Sequence, residues 1–336
     1  MTGKRDIAIV TGGAGFLGSH MVDWLLGNGF AVRVIDNLSG GREANLAHHA
    51  GNPDLAFERH DIRDLEPGAK IFADGRYVFH FAGIGDIVPS IEQPTEYMSV
   101  NVQGTVRVLE AARAARVEKL VYAASSSCYG LAATPTREEH SIAPQYPYAL
   151  SKYLGELAAF HWHQLYRLPV NSIRIFNAYG TRVRTTGVYG AVFGVFFKQK
   201  LAGKPFTVVG DGTQRRDFVY ASDVADGFGR AAATTLSGRI WNLGAGNPQS
   251  VNHLVALLGG PVIHIPKRPG EPDETWADIS RITAELGWQP RVPFEIGVRR
   301  MLDEIENWRD APLWEPASIA AATRSWFDYL SSNQTA

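Results

Sequence analysis

A glycine-rich turn near the start of the chain constrains the fold more than any other feature of the sequence. The turn is TGGAGFLG, residues 11–18, in which Gly12, Gly15 and Gly18 have the spacing G-x-x-G-x-x-G between a predicted strand and a predicted helix. Glycine there permits a tight turn, close approach of a pyrophosphate to backbone N–H groups, and close helix–strand packing. The phosphates would lie at the helix N-terminus, where free N–H donors and the helix dipole favour an anion. The pattern therefore predicts a dinucleotide-binding turn.

Short apolar runs alternate with helix-length segments through the first half of the chain. The runs are rich in Val, Ile and aromatic residues and are bounded by turn signals, as expected of strands that are buried on both faces. This alternation predicts an α/β fold, a Rossmann-type doubly wound parallel sheet. The predicted strands are residues 6–10, 31–36, 77–82, 119–125 and 169–176.

The pattern changes after about residue 176, where loops rich in glycine and aromatic residues follow. We therefore expect a smaller C-terminal substrate-binding lobe beside the sheet. The predicted division is 1–176 plus 219–244 for the NAD-binding domain, 177–218 and 245–310 for the lobe, and 311–336 for a short helical tail. The sequence indicates no role for this tail.

An acid ends the predicted second strand, in VRVIDN. Asp36 can accept hydrogen bonds from the adenosine ribose hydroxyls and would repel the 2′-phosphate of NADP, so the predicted cofactor is NAD. Arg33 and Arg42 lie nearby in sequence and keep NADP as the alternative. Asp61, with Ile62 after it, stands where a third strand would end and could meet the adenine amino group, although aspartate is also a common turn or cap residue.

Composition excludes several classes of function. The chain has 336 residues, and its 33 Lys and Arg against 34 Asp and Glu give no basic excess for nucleic acid or an anionic membrane. The one cysteine, Cys128, excludes an internal disulfide and a cysteine metal cluster. The N-terminus lacks a signal-peptide core, and no apolar run approaches the roughly 20 residues that span a bilayer. We expect a cytoplasmic protein with no metal site.

A tyrosine and a lysine lie one helical turn apart in YPYALSKYLGE, residues 146–156. The i, i+4 spacing puts Tyr148 and Lys152 on one helix face. A nearby ammonium favours the phenolate, which lowers the phenol pKa from about 10 toward the working pH that a general base needs. The pair is weak evidence alone and gains weight from the dinucleotide turn upstream.

Together these stretches resemble the extended short-chain dehydrogenase/reductase family in its nucleotide-sugar epimerase/dehydratase branch. The resemblance implies a catalytic serine four residues before Tyr129, which is Ser125, acting with Tyr148 and Lys152. The stretches that carry it, over roughly residues 5–305, are TGGAGFLGSH, HFAGIGDIVPSIEQP, NVQGTVRVLEAAR, AASSSCYG, YPYALSK, RIFNAYG, GDGTQRRDFVYASDVA and RPGEPDETWADIS. The implied cofactor contacts are Gly12, Gly15, Phe16, Leu17, Gly18, Asp36, Asn37, Asp61, Ile62, Phe81, Ala82, Gly83, Asn101, Tyr148, Lys152 and Phe176.

The residues after Ser125 discriminate between reactions of the branch. Relatives that are 4,6-dehydratases carry an Asp-Glu pair there, and sugar-acid decarboxylases carry a glutamate in this stretch. This chain has Ser126 and Ser127, and a serine hydroxyl is too weak an acid or base to replace a carboxyl group. The resemblance therefore implies C4 epimerisation through a 4-keto sugar, without elimination.

Other motifs of the branch concern the substrate. Asn177 matches the asparagine that holds a phosphate or a sugar hydroxyl, and Arg216 and Arg268 match the arginines that clamp the nucleotide diphosphate. Asp217 is interpreted as structural. The implied substrate is a UDP-sugar.

Three positions that tune pocket size in the family are small in this chain: Gly85, Ala191 and Thr275. Small walls and the hydroxyls of Ser126 and Ser127 favour UDP-N-acetylhexosamines, UDP-GlcNAc and UDP-GalNAc, or the corresponding uronates. A UDP-glucuronate 4-epimerase is the main alternative, with Arg182 and Arg184 as possible carboxylate partners or as solvated loop charges, and a UDP-glucose 4-epimerase is another.

Two further alternatives are a 4-keto-sugar reductase that uses NADPH and a catalytically silent nucleotide-sugar-binding protein. Asp36 argues against the first, and the intact Ser125, Tyr148 and Lys152 argue against the second. The family expectation is a homodimer formed through two helices per subunit, here roughly 95–115 and 149–166.

Overall fold

A seven-stranded parallel sheet lies at the centre of the computed structural model, which describes residues 5–185 and 192–331. The strands of the described chain are β1 (Ile7–Thr11), β2 (Ala31–Asp36), β3 (Leu55–Arg59), β4 (Gly75–His80), β5 (Lys119–Ser125), β6 (Val170–Ile175), β7 (Asn177–Tyr179), β8 (Phe206–Val209), β9 (Arg215–Arg216), β10 (Phe218–Tyr220), β11 (Arg239–Leu243), β12 (Gln249–Ser250) and β13 (Val262–Ile265). The central sheet has the order β11-β6-β5-β4-β1-β2-β3, and its neighbouring strands all pair in parallel. The chain order reverses between β1 and β4, and the crevice at such a point is where open α/β sheets bind ligands.

Helices cover both faces of the sheet. The helices of the described chain are α1 (Phe16–Gly27), α2 (Ile87–Glu92), α3 (Pro94–Met98), α4 (Gly104–Ala115), α5 (Pro147–Tyr166), α6 (Val192–Leu201), α7 (Ala221–Ala233), α8 (Val251–Leu258), α9 (Ser280–Leu286), α10 (Phe294–Asp303), α11 (Pro316–Ala322) and α12 (Arg324–Leu330). On one face, Met21 of α1 and Phe228 of α7 share a core cluster with Trp241 of β11. On the other face, Leu109 of α4 and Ala159 of α5 share a cluster with strand residues. The predicted α/β fold with a doubly wound parallel sheet is confirmed.

A second, aromatic core lies outside the central sheet. It joins α6, β8, α8 and α10, and Phe196, Phe197 and Trp308 are among its fully buried side chains. The strands β8 and β13 pair in parallel beside it. The division of the chain into a domain, a lobe and a tail stays a prediction.

Asp217 fastens three backbone segments together. Its carboxylate accepts hydrogen bonds from the N–H groups of Ala245, Gly246 and Ala277 at 2.7–3.1 Å, and the residue is fully buried. Burial raises the pKa of this carboxyl, and the backbone donors oppose the shift. These contacts give Asp217 a structural role.

The C-terminal tail forms two helices where the sequence predicted one. The backbone leaves helical geometry at Thr323, between α11 and α12. The Thr323 hydroxyl donates to the Ile319 carbonyl at 2.8 Å, and such local bonding by threonine bends or interrupts helices. None of the described helices is long and apolar enough to cross a membrane.

Candidate active site

The glycine turn after β1 has the close packing that its sequence predicts. Gly12 has φ 71°, and a Cβ on Gly18 would lie 2.1 Å from the Gly12 carbonyl oxygen. Gly15 is the N-cap of α1, so Phe16 and Leu17 begin the helix at this turn. A Cβ at Gly12 would collide with the backbone of Ala82, and one at Gly18 with the turn itself, so these glycines let the turn pack closely against the helix N-terminus. A cradle of this kind fits a dinucleotide pyrophosphate.

Asp36 lies at the end of β2, directly beside the glycine turn. Its carboxylate accepts hydrogen bonds from the N–H groups of Ala14 at 3.0 Å and Leu38 at 2.8 Å. These bonds fix the acid next to the cradle, and burial raises its pKa. The arrangement fits a carboxylate that accepts from ribose hydroxyls.

Arg33 and Arg42, the residues that leave NADP as the alternative cofactor, have side-chain hydrogen-bond partners in other parts of the chain. Arg33 donates to the carbonyls of Ile71 at 3.0 Å and Ala73 at 2.5 Å. Arg42 donates to the Thr185 hydroxyl at 3.2 Å. None of these side-chain contacts involves Asp36 or the glycine turn, so they do not support NADP as the cofactor.

Asp61 caps a short 3-10 helix that begins at Ile62. Its carboxylate accepts from the Arg63 backbone N–H at 2.9 Å, from the Nε–H and Nη2–H groups of the Arg63 guanidinium, and from the Asn37 amide at 2.9 Å. The Arg63 side chain holds the pKa of Asp61 well below its usual range. These contacts favour the cap interpretation of Asp61, and a contact with adenine stays a prediction.

Asn101 anchors the loop that follows β4. Its amide oxygen accepts from the Ile84 N–H at 2.8 Å, and its amide nitrogen donates to the Ile84 carbonyl at 3.0 Å and the Ser151 hydroxyl at 2.9 Å. The predicted cofactor residues Phe81, Ala82 and Gly83 lie on the loop that Asn101 anchors in this way. Because its amide oxygen and its amide nitrogen both have hydrogen-bond partners within the protein, Asn101 has a positioning role.

Ser125, Tyr148 and Lys152 converge at the carboxyl end of the sheet. Ser125 ends β5 and caps the short helix Ser126–Tyr129. Pro147 occupies the first turn of α5, so Tyr148 enters the helix immediately and Lys152 follows one turn later. The Tyr148 hydroxyl lies 3.5 Å from Ser125 Oγ, and Ser125 Oγ lies 2.8 Å from Ser127 Oγ.

Burial dominates the electrostatics of this group. It lowers the pKa of the Lys152 ammonium to about 8, against the opposing pull of Glu156. The ammonium lies 4.7 Å from the centroid of the Tyr122 ring. Burial raises the pKa of the Tyr148 phenol, and the hydrogen bond with Ser125 opposes that shift. A titratable acid, a cation and a hydroxyl relay in one buried place are the parts of a general acid–base site.

A cleft of about 470 Å³ opens onto this group. Its volume is typical of small-molecule sites. Most of the predicted substrate and catalytic side chains meet here. The lining includes Ser125, Ser126, Ser127, Tyr148, Phe176, Asn177, Arg216, Arg268 and Thr275.

The two predicted diphosphate-binding arginines share one acid in the cleft wall. Arg216 donates to Glu271 at 2.8 Å, and Arg268 lies 3.8 Å from the same carboxylate. Nearby, the Thr275 hydroxyl donates to the Asn177 side-chain oxygen at 2.6 Å. The arginines therefore lie close together, as recognition of two linked phosphates requires.

Two of the residues considered in the sequence analysis, Arg182 and Gly85, are not among the lining residues of the cleft. Arg182 was considered as a carboxylate partner, but it contacts Asp23, His20 and the Asn45 carbonyl, away from the cleft lining. Gly85 is exposed and is not among the lining residues. Ala191 lies outside the described residues.

Among the lining residues that the sequence analysis did not identify are Asp86 and Trp326. Asp86 directly follows Gly85 with φ 77°, which is uncommon for residues other than glycine, and burial raises the pKa of its carboxyl while the charge of Arg184 opposes that shift. Trp326 comes from the tail, far from every motif. The only signal in the sequence was the apolar spacing of Trp326 and Leu330, which resembles that of any packed helix.

Among the described residues, one group has the composition of a metal site. His48 Nε2 and His49 Nε2 lie 2.8 and 2.7 Å from one oxygen of Asp23, and Arg182 contacts the other oxygen. The carboxylate is thus paired with a cation on the protein itself. The expectation of no metal site stays a prediction.

The sheet, the glycine turn and the Ser-Tyr-Lys group define an enzyme of the extended short-chain dehydrogenase/reductase class. The chain belongs to the NAD dependent epimerase/dehydratase family, whose model matches residues 8–244. This membership confirms the predicted family and its NAD dependence.

Several similar proteins are 4-epimerases that differ in their sugars, and others are UDP-glucuronic acid decarboxylases or a dTDP-glucose 4,6-dehydratase. A UDP-glucose 4-epimerase from Mycolicibacterium smegmatis is 37% identical over 310 residues, covering 89% of this chain and 98% of its own. The structure of a UDP-glucuronic acid 4-epimerase from Bacillus cereus, with UDP-glucuronic acid and NAD, matches with a TM-score of 0.84 at 30% identity, over 90% of this chain and 99% of that one. A UDP-N-acetylglucosamine 4-epimerase from Methanobrevibacter ruminantium, in complex with UDP-N-acetylmuramic acid, matches with a TM-score of 0.83 at 29% identity over the same shares.

Proposed function

We propose that this protein epimerises a UDP-sugar at C4 with a resident NAD, and that the sugar is an N-acetylhexosamine. The observation that carries the proposal is the distance of 3.5 Å between the Tyr148 hydroxyl and Ser125 Oγ, two residues that line the cleft. The two residues that follow Ser125 in the sequence are also serines. These groups can move a proton at C4, and they include no carboxyl group at the positions where dehydratases have one. The 4-epimerase activity of similar proteins supports C4 epimerisation as the reaction.

The proposed proton path runs through two side chains. Tyr148, as the phenolate, accepts the proton of the C4 hydroxyl by way of the Ser125 hydroxyl. When bound, NAD supplies a hydride acceptor for C4 and returns the same hydride. After the 4-keto ring has turned over, Tyr148 returns the proton to the C4 oxygen of the other epimer. The proton and the hydride are both restored, so no cofactor is consumed.

The residues that would hold NAD fit that role on their geometry. The cradle of Gly12, Gly15 and Gly18 would receive the pyrophosphate, and Asp36 would accept from the adenosine ribose. Lys152 would hold the nicotinamide ribose and favour the Tyr148 phenolate by its charge.

Two features of the cleft support a neutral, bulky sugar. Thr275 lines the cleft at a position where the resemblance to the family implies that a small residue leaves room for the sugar, and its hydroxyl donates to Asn177 at 2.6 Å. Asp86 lines the same cleft, and a carboxylate there would repel the carboxylate of a uronate. These observations favour UDP-GlcNAc over UDP-glucuronate.

A UDP-glucuronate 4-epimerase is the second candidate. Arg184 is exposed and acts on Asp86, so it could also pair with a sugar carboxylate. The Ser126 and Ser127 hydroxyls could bind either an N-acetyl group or a carboxylate.

The test is to incubate the full-length protein separately with UDP-GlcNAc, UDP-glucose and UDP-glucuronate and to resolve the epimers. We expect UDP-GalNAc from UDP-GlcNAc, with the largest kcat/KM of the three. Turnover of UDP-glucose alone, or of UDP-glucuronate alone, would reject the sugar assignment. A purified protein that holds NAD and epimerises none of the three would reject the proposed reaction.

We also propose a homodimer formed through α4 and α5. Exposed apolar side chains on α5 support this surface, namely Leu150, Leu157, Leu165 and Tyr166. The test is light scattering of the wild type and of the double variant Leu157→Glu/Leu165→Glu. A wild-type dimer that becomes a monomer in the variant would support this surface, and a monomeric wild type would reject the dimer. A cytoplasmic location stays a prediction.

A further inference from the structure

The last helix of the described chain packs against the cleft. Trp326 and Leu330 of α12 are buried in a small apolar cluster with Val88 of α2. Ile87 and Tyr146 pack on the same cluster, and Tyr146 stands two residues before the proposed base. The Ser325 hydroxyl adds a hydrogen bond of 2.9 Å to Glu92 of α2. One side of α12 is therefore attached to the catalytic side of the cleft.

The same helix also contacts the opposite wall. The Trp326 indole N–H donates to the Pro269 carbonyl at 2.7 Å, within the RPGE motif. The Arg268 guanidinium lies 5.4 Å from the centroid of the Trp326 ring, a cation–π distance. One buried side chain thus holds both the backbone and the cation of the loop that is proposed to clamp the diphosphate.

We propose that α12 is a third component of the substrate site, in which Trp326 is a positioning residue that sets Arg268 for the diphosphate of the UDP-sugar. The inference rests on the proposed function for the identity of the ligand. Its physical basis is that Arg268 has a long side chain, which the indole ring and the fixed Pro269 backbone hold in one orientation before the ligand arrives. Preorganisation of this kind raises affinity because less side-chain freedom is lost on binding.

The kinetic consequence is specific. The diphosphate is remote from C4, so its contacts with the enzyme are equally strong in the ground state and in the transition state. Loss of such contacts raises KM and leaves kcat nearly unchanged. A purely structural role for Trp326 would instead lower the amount of folded enzyme, which reduces the apparent kcat at constant KM.

The experiment uses the full-length protein carrying Trp326→Ala, and compares KM and kcat for the UDP-sugar and the Kd for UDP by calorimetry. We expect KM and Kd to rise roughly three- to tenfold, the scale of a lost cation–π contact and a misdirected arginine. Trp326→Phe keeps a ring beneath Arg268 and loses the bond to Pro269, so its values should lie between those of wild type and Trp326→Ala. Asp328→Ala, exposed on the same helix, is the matched control and should bind UDP as the wild type does.

A chain that ends at residue 323 removes α12 and retains α11, and it should reproduce the loss of UDP affinity. Folded Trp326→Ala and truncated proteins that bind UDP with wild-type Kd would overturn the inference. If Trp326→Ala does not fold, the Kd for UDP of Trp326→Phe and of the truncated chain decides in the same way. Because UDP binding needs no turnover, it tests α12 even if the wild type epimerises no UDP-sugar, an outcome that would reject the proposed function alone.

Discussion

The Tyr148 hydroxyl lies 3.5 Å from Ser125 Oγ, although the residues are 23 positions apart in the sequence. We expect Tyr148→Phe to lower kcat by about 10²- to 10⁴-fold, the usual contribution of a positioned acid–base group. Bound NAD should be retained, since the variant removes one hydroxyl. Tyr153→Phe on the same helix is the control and should keep wild-type kcat. A Tyr148→Phe enzyme with unchanged epimerisation would exclude Tyr148 as the base.

Lys152 should control the pH dependence of the reaction. Burial lowers the pKa of its ammonium to about 8, so the free enzyme loses this charge as the pH rises through that value. The cation favours the Tyr148 phenolate, and its removal raises the phenol pKa. We therefore expect Lys152→Met to shift the rising limb of kcat/KM to higher pH and to abolish the decline above about pH 8. Profiles measured from pH 6 to 10 check both effects, and an unmoved rising limb would contradict this role.

The glycine cradle should tolerate no side chain at its third position. A Cβ on Gly18 would lie 2.1 Å from the Gly12 carbonyl oxygen, so Gly18→Ala must displace the turn or the helix. We expect it to lose bound NAD and thermal stability. Gly27→Ala, at the other end of α1 with no atom within 4 Å of the new Cβ, should retain NAD and gain about 0.5–1 kcal/mol of stability. Released nucleotide and melting temperature distinguish the two variants, and equal NAD content in both would argue against the cradle.

A buried ion pair beneath the active site should contribute strongly to stability. Arg174 donates to both oxygens of Glu156 at 3.0–3.2 Å, and the two side chains are 4% and 2% exposed. Glu156→Ala leaves the guanidinium buried without its main counter-charge, which costs about 3–5 kcal/mol. Glu306→Ala breaks an exposed pair with Arg309 and should cost less than about 1 kcal/mol. Urea unfolding measures both, and similar costs would refute the distinction.

Two buried histidines predict loss of stability in mild acid. Burial lowers the pKa of His20 to about 4 and that of His80 to about 3, from an ordinary value of 6.5. Below pH 6.5 the unfolded chain therefore binds more protons than the folded one, so stability falls as the pH decreases toward 4. Each histidine contributes up to about 1.4 kcal/mol per pH unit. His20→Gln should reduce the slope of unfolding free energy against pH between 6.5 and 4.5, whereas the exposed His161→Gln should leave it unchanged.

The sequence predicted the sheet because local signals coincide with the tertiary arrangement, and it identified Ser125 and Tyr148, which the structure brings together. Strand-forming runs, the glycine turn and the Tyr148–Lys152 spacing depend on residues within one or two elements. The site features that it missed depend on distant segments. The contact of Arg182 with Asp23 joins residues 159 positions apart, and local sequence patterns do not encode it. The contact of Trp326 with Pro269 joins residues 57 positions apart, and nothing in the tail alone indicates the loop that it meets.

The shared contact of Glu271 with Arg216 and Arg268 has an electrostatic consequence for substrate capture. Before a UDP-sugar arrives, the two cations already have a partner anion from the chain itself, which offsets part of their charge. On the role proposed for these arginines, entry of a diphosphate would exchange one anion for another, and Glu271 would give up part of its contact. Between turnovers Glu271 would keep the two arginines aligned and hold the empty cleft nearer to neutrality.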